Sequence, residues 1–506
     1  MASSAIRASG RVLGAVVAIG GAGALVLGAT LLPATASSAP GTVVAPAGVD
    51  QQRVCPGPLL QLGDFESATR ITSYGVPAVT AATIAGAPAT VAALTDSDVE
   101  TAADGAASAV LTAPSAADDS GLLSAAQAQV VRSGDAAGLA VVGCTEGTAS
   151  SWIVAGATDT GRSSLLLLAN PNGVAATVDL ALYTGQGPVE APGLQDLVIA
   201  PLSQRAISLA GYAPGQAQLA VEVRSRGGLV SATLQHTVVR GLEPGGVDLA
   251  GRTGAPATEQ VVPGLRITTA AAAEARAHVG GSQDVETALR ILAPRADADV
   301  TIGVVPETAG GVGTSLEVEA KAGRVVEVPF EGLADGTYTV TLTATEPVVA
   351  AARASTVAPP DPAQSGDEEL PAEDAAEEGI GFDVVGPVTD VAVQAGERID
   401  LAWFPSAGAL TRPAAFAVAD APAPRLSVAN TGEDAVTVTV EGGGVTQTLD
   451  LPARSTGVLD VAPNTVHLLT STGAVAASVS YAGEGLLAAQ PVRAANPLAT
   501  PLTIYR

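Results

Sequence analysis

Leu166-Leu-Leu-Ala-Asn170, Leu289-Arg-Ile-Leu-Ala-Pro294 and Leu426-Ser-Val-Ala-Asn430 are three writings of one pattern. Eight and ten residues past Asn170, Pro294 and Asn430 stand two aliphatics each time: Val178 and Leu180, Ile302 and Val304, Val438 and Val440. An apolar run, a turn and a stretch of period-two alternation read as a strand followed by a half-buried second strand. Written three times, the pattern marks an array of small β modules.

Each module also closes alike. Leu219-Ala-Val221-Glu-Val223 turns at Ser225–Gly228 into Val230-Ser-Ala232. Tyr338-Thr-Val340-Thr-Leu342 turns at Thr345–Pro347 into Val349-Ala-Ala351. Val466-His-Leu468 turns at Ser471–Gly473 into Val475-Ala-Ala477. Short strands with turns between them, and 57 Gly with 34 Pro, argue for an all-β chain without long helices. The expected architecture is tandem immunoglobulin-like β-sandwich modules behind an N-terminal transmembrane or signal helix. The modules are expected at residues 151–255, 256–360 and 381–506. Residues 51–150 are expected to be β-rich at the ends, with strands near both cysteines and a loop-rich centre, because the stretch from Thr80 to Ser120 has weak periodicity.

Arg7 and Arg11 precede an uncharged apolar run from Val12 to Leu32. At 1.5 Å per residue that run is roughly 30 Å long, enough to cross a bilayer core. Ala34-Thr35-Ala36 follows, a small-residue pattern that a signal peptidase cuts. Residues 1–36 therefore read as a cleaved signal peptide or an uncut membrane anchor, and residues 37–50 as a flexible tether. Either reading sends the rest of the chain out of the cytoplasm, to a secreted or single-pass, extracellular location. The two cysteines, Cys55 and Cys144, agree with export: an even, minimal count in an exported chain reads as one disulfide. Residues 361–378 hold eight acids and no base, and 361–380 are expected to be a disordered linker.

Fifty acids against 24 bases give a net charge of −26, which repels phosphate backbones and excludes nucleic acid as a partner. The chain carries no HExxH, no GxSxG elbow and no P-loop. Asp96-Ser-Asp98-Val-Glu100 starts like a calcium loop but lacks its glycine and its closing glutamate. No catalytic residue, metal site or cofactor is expected. Trp152 and Trp403 each open a module, with His278 in the comparable place of the second, and the indoles are the candidate ligand contacts, as sugar-stacking faces. His236, His278 and His467 are expected at the surface or at strand edges.

One resemblance adds to this. Cys55-Pro-Gly-Pro58, Gly138-Leu-Ala-Val-Val-Gly-Cys144, Ser151-Trp152-Ile-Val-Ala-Gly-Ala-Thr158, Leu168-Ala-Asn170-Pro171, Leu234-Gln-His236 and Arg240-Gly-Leu-Glu-Pro-Gly-Gly-Val-Asp248 resemble the domain-of-unknown-function family 5719. The resemblance implies an envelope location and a matching cysteine pair, and it carries no activity. The expected function is a non-enzymatic scaffold or interaction protein of the cell envelope. Its partner would be an envelope protein, or a polysaccharide if it serves wall assembly, and it would touch the membrane through its N-terminal helix. A hydrolase would need two carboxylates about 5–10 Å apart in one cleft.

Overall fold

The computed structural model describes residues 41–44, 50–63, 71–96, 98–99, 107–115, 118–133, 135–308, 311–360, 396–494 and 502–505. The expected N-terminal helix at 1–36, the linker at 361–380 and most of the tether at 37–50 lie outside them. Within the tether, Gly41–Val44 is a strand paired antiparallel with Leu502–Tyr505, in a unit of its own. Among the described residues no helix is long and apolar enough to cross a membrane. The α-helix among them is Ala270–Ala277, whose sequence AAAAEARA is rich in the strongest helix former.

Residues Gly48–Pro497 make one compact unit built almost entirely of antiparallel strands. In the first module one sheet runs Ser150–Ile153, Leu219–Arg226, Ala176–Thr184, and the other Ser203–Ser208, Arg162–Asn170, Ser231–Arg240, Glu243–Ala250. The third module repeats this order. Ala414–Val418, Thr465–Ser471 and Val436–Gly442 face Ser455–Asp460, Arg425–Asn430, Ala476–Gly483 and Leu486–Pro491. In the second module the long strand Gly336–Ala358 runs through both sheets. Its first part pairs with Ala257–Ile267 and Ala298–Pro306, its second with Ala288–Leu292 and Arg398–Pro405.

Two expectations change. Arg398–Pro405, read as the head of the third module, is hydrogen-bonded to Ala351–Ala358 and is the last strand of the second. Residues 51–150 are less loop-rich than expected and carry the same plan in shorter form. Gln51–Cys55, Ala109–Ala113 and Thr90–Ala93 form one sheet, and Ala78–Thr83, Leu123–Ser133 and Ala136–Gly143 the other. The unit therefore holds four related modules.

Leu166, Leu289 and Leu426 occupy corresponding strands, and each packs between its module's two sheets with the alternating aliphatics of the next strand. Asn170 and Asn430 show why the run ends in asparagine. Each turns its amide nitrogen to three carbonyls, those of Val174, Ile199 and Ala200 or of Asp434, Leu451 and Pro452. Each carboxamide oxygen accepts the N–H two residues on, from Asn172 or Gly432. One buried side chain thus holds an exposed turn against the strand end and supplies donors to carbonyls that the ladder leaves free.

The four modules close into a ring. Their last strands, Ala136–Gly143, Glu243–Ala250, Arg398–Pro405 and Leu486–Pro491, lie side by side at its centre. Each sends its apolar face into the next module's core. Val247 and Leu249 of the first pack with Ala140 and Val142 of the N-terminal module, whose Leu139 and Val141 pack into the third. Leu487 and Ala489 of the third pack into the second, whose Leu401 and Trp403 pack into the first.

Asp400 sits where the four strands meet. Its Oδ1 accepts the N–H of Leu401 at 2.9 Å and of Val247 at 3.3 Å, and its Oδ2 accepts those of Leu139 and Leu487, each at 2.9 Å. One carboxylate therefore takes a backbone donor from every module. Loss of solvent pushes its pKa up to about 8, and the four donors pull it back. Gly138 and Gly246 make room: a Cβ on Gly138 would overlap the Asp400 carboxylate, and one on Gly246 would lie 2.8 Å from the Leu401 nitrogen. Both have φ in the range glycine favours, +149° and +119°.

Candidate functional site

The cysteines are joined as expected. Cys55 ends the first strand of one N-terminal sheet and Cys144 follows the last strand of the other, so the bond ties sheet to sheet. Their Cα atoms are 4.5 Å apart.

The aromatic and imidazole candidates are placed differently from the expectation. Trp152 is buried and stacks on Tyr183 at 5.8 Å. Trp403 is 1% exposed and closes the seam between the second and first modules. Neither indole offers a face to solvent, so the expected sugar-stacking platform does not form at these residues. His236 and His467, expected at the surface, are 2% and 3% exposed. They sit on central strands, where a polar letter in an alternating pattern points inward as readily as outward. His467 stacks on Phe416 at 5.2 Å. His278 is exposed, as expected, and stands at the C-terminal cap of helix Ala270–Ala277.

Trp403 organises a buried polar network. Its indole N–H donates to His236 Nδ1 at 3.2 Å, and its backbone N–H to Asp248 Oδ2 at 2.7 Å. The Arg290 guanidinium lies 4.6 Å from its ring centroid and that of Arg353 5.7 Å. Arg290 also donates to the carbonyls of Gly156 at 2.6 Å and Ala217 at 3.1 Å in the first module. Glu327 bridges both arginines, at 2.6 Å and 3.0 Å. Loss of solvent would raise the Glu327 carboxyl, yet the Arg290 and Arg353 charges hold it at about 2. Desolvation first, and then Arg290 and Arg353, push His236 down to about 3. It is neutral at physiological pH and accepts from the indole. Asp248 and Asp400 are neighbouring carboxylates, but both are sealed in the interior and held by backbone amides.

The His236 arrangement has a pH signature. Its folded pKa lies below the unfolded value near 6.5, so the stability it contributes is complete above about pH 6.5 and is lost as pH falls toward 3. Asp400, whose folded value is raised, titrates in an overlapping range with the opposite sign. The difference between wild type and His236→Gln separates the two, because glutamine still accepts from the indole and does not titrate. Between pH 6.5 and 4.5 wild type should lose about 2 kcal/mol relative to the variant, read from urea unfolding at each pH. A constant difference across that range would contradict a neutral, buried His236.

A second cluster lines a cavity of about 50 Å³ between the N-terminal, first and third modules. Arg53, Glu146, Arg252, Phe416, Gln490 and Arg493 are among its walls. Arg53 and Glu146 form a buried ion pair through Glu146 Oε1. Gln490 donates its amide N–H groups to the Ala417 carbonyl at 2.8 Å and the Tyr481 hydroxyl at 2.9 Å. Four polar atoms here are closed off from solvent and lack a hydrogen-bond partner among the described residues: Glu146 Oε2, Gln490 Oε1, Arg252 Nε and Arg493 Nη2. Desolvation, then the charge of Arg252, lowers the Arg493 pKa well below its usual range. Sequence reading missed this cluster, because its arginines are 199 or more residues from Arg53 along the chain.

No curated protein matches the chain. The model of a family of unknown function, DUF5719, matches residues 99–379, a span that runs from within the N-terminal module through the first and into the second, ending before its last strand Arg398–Pro405. The residues that carried the resemblance are structural in this fold. Gly138 clears space for Asp400, Gln235 binds both backbone groups of Leu60, at 2.8 Å and 2.6 Å, and His236 and Asp248 hold Trp403. With more than half of its length matched in this way, the chain belongs to the family of unknown function DUF5719.

Proposed function

We propose that the protein is a non-enzymatic scaffold or interaction protein of the cell envelope, displayed outside the membrane on immunoglobulin-like modules and either anchored by its N-terminal segment or secreted. The observation that carries this reading is where the polar side chains are used. Asp400, Asp248, His236, Arg290 and Gln235 all bind one module to another. Chemistry-bearing residues spent in this way favour a rigid body that presents loops and edges over one that turns over a substrate. The Cys55–Cys144 bond supports an oxidising compartment, since such bonds persist outside the cytoplasm.

A polysaccharide-binding role in wall assembly is the second reading. Burial of Trp152 and Trp403 takes away the residues on which it stood, and the first reading is preferred for that reason. Binding of residues 37–506 to envelope fractions separates the two. Saturable binding to the protein fraction alone is the expected result. Saturable binding to purified polysaccharide would reverse the preference, and turnover of that polysaccharide would replace both readings with a hydrolase.

A further inference from the structure

We infer that the arginine-lined cavity between the N-terminal, first and third modules binds one phosphate group through the guanidiniums of Arg252 and Arg493. Three guanidiniums and one carboxylate surround it, a local formal charge of +2 (three minus one) in a chain whose total is −26. Glu146 already commits Oε1 to Arg53. Among the described residues no carboxylate is hydrogen-bonded to Arg252 or Arg493, the Glu146 charge reaches Arg252 without a hydrogen bond, and one nitrogen of each is buried without a partner. A guanidinium does not shed its proton, so these charges cannot be relieved by neutralisation. One carboxylate among three buried guanidiniums leaves the cluster short of counter-charge, which is costly, and an oxyanion supplies both the charge and the acceptors that the two planar forks are shaped to meet.

The acceptors in the cavity narrow the ligand further. Glu146 Oε2 and Gln490 Oε1 are buried, unpartnered and able only to accept. The Gln490 amide is held in this orientation by its two donor bonds. Sulfate has no proton to give at neutral pH. Phosphate in its diprotonated form carries two P–OH donors, so it can satisfy the arginines with P–O⁻ and both acceptors with P–OH, while the monoprotonated form satisfies one of them. A volume of about 50 Å³ holds around four waters at roughly 12 Å³ each, or one ion of five heavy atoms.

The test is thermal unfolding and titration calorimetry on the full chain in chloride buffers of equal ionic strength, with inorganic phosphate, sulfate or glycerol phosphate added. Phosphate at 100 times its Kd should raise the Tm by about 2–5 °C. Sulfate should bind at least about 10-fold more weakly. Arg493→Gln should abolish the phosphate response and, with one uncompensated charge removed, melt no lower than wild type in phosphate-free buffer. Arg252→Gln gives the same reading if the first variant does not fold. Binding of inorganic phosphate alone assigns the site to the free ion, and equal binding of glycerol phosphate assigns it to a phosphomonoester. A Tm that responds equally to phosphate, sulfate and matched chloride, or a phosphate response that survives both variants, overturns the proposal.

Discussion

Asp400→Ala should destabilise the Gly48–Pro497 unit by about 4–8 kcal/mol, enough to leave little folded protein. The substitution strips the acceptor from four backbone N–H groups at once, those of Leu139, Val247, Leu401 and Leu487. The site is enclosed, so water does not replace the carboxylate, and each orphaned donor costs about 1–3 kcal/mol. Relief of the desolvation that raises the Asp400 pKa offsets part of this sum. Asp400→Asn should cost about half as much, because one oxygen remains to accept while the amide turns its hydrogens on two N–H groups. Urea unfolding of the asparagine variant, and soluble yield of the alanine variant, check the order. An alanine variant as stable as wild type would mean that the four strands hold together by apolar packing alone.

Loss of the disulfide should be nearly as damaging. Cys55 and Cys144 are 89 positions apart, and closing a loop of that size stabilises by about 4–5 kcal/mol in the chain-entropy picture. The N-terminal module is the one least able to absorb the loss. Its inter-sheet cluster around the bond is small: Cys55, Leu111, Ala125 and Cys144. Cys55→Ser with Cys144→Ser should therefore lower the urea midpoint of the whole unit, since the ring closes through this module. Limited proteolysis of the variant should cut first between residues 51 and 143. A double variant whose midpoint matches wild type would show that the N-terminal sheets hold without the bond.

Much of the architecture was legible because it is local. Alternation in Val178–Leu180, Ile302–Val304 and Val438–Val440 is the direct imprint of a strand with one buried face, and the repeat exposed the first, second and third modules. What escaped is long-range. The N-terminal module looks loop-rich in the sequence because its strands are short and rich in alanine and threonine, which leave a weak periodic signal. Arg398–Pro405 follows an acidic stretch and looked like a new beginning, yet its hydrogen bonds run back to Ala351–Ala358. Asp400, His236 and His467 are polar letters that suggest a surface. They are interior because groups brought from elsewhere in the chain meet them: amides of three other modules beside Leu401's own for Asp400, an indole N–H for His236 and a phenyl face for His467. A buried polar residue is specified by its partners, and no local pattern names them.

Four modules form one body closed around Asp400, and that closure is measurable. Native-state hydrogen exchange of the Leu139, Val247, Leu401 and Leu487 amides tests it most directly. All four should exchange with one shared free energy, equal to that of global unfolding, and Asp400→Asn should lower all four together. Four separate exchange free energies, each following the unfolding of its own module, would contradict it.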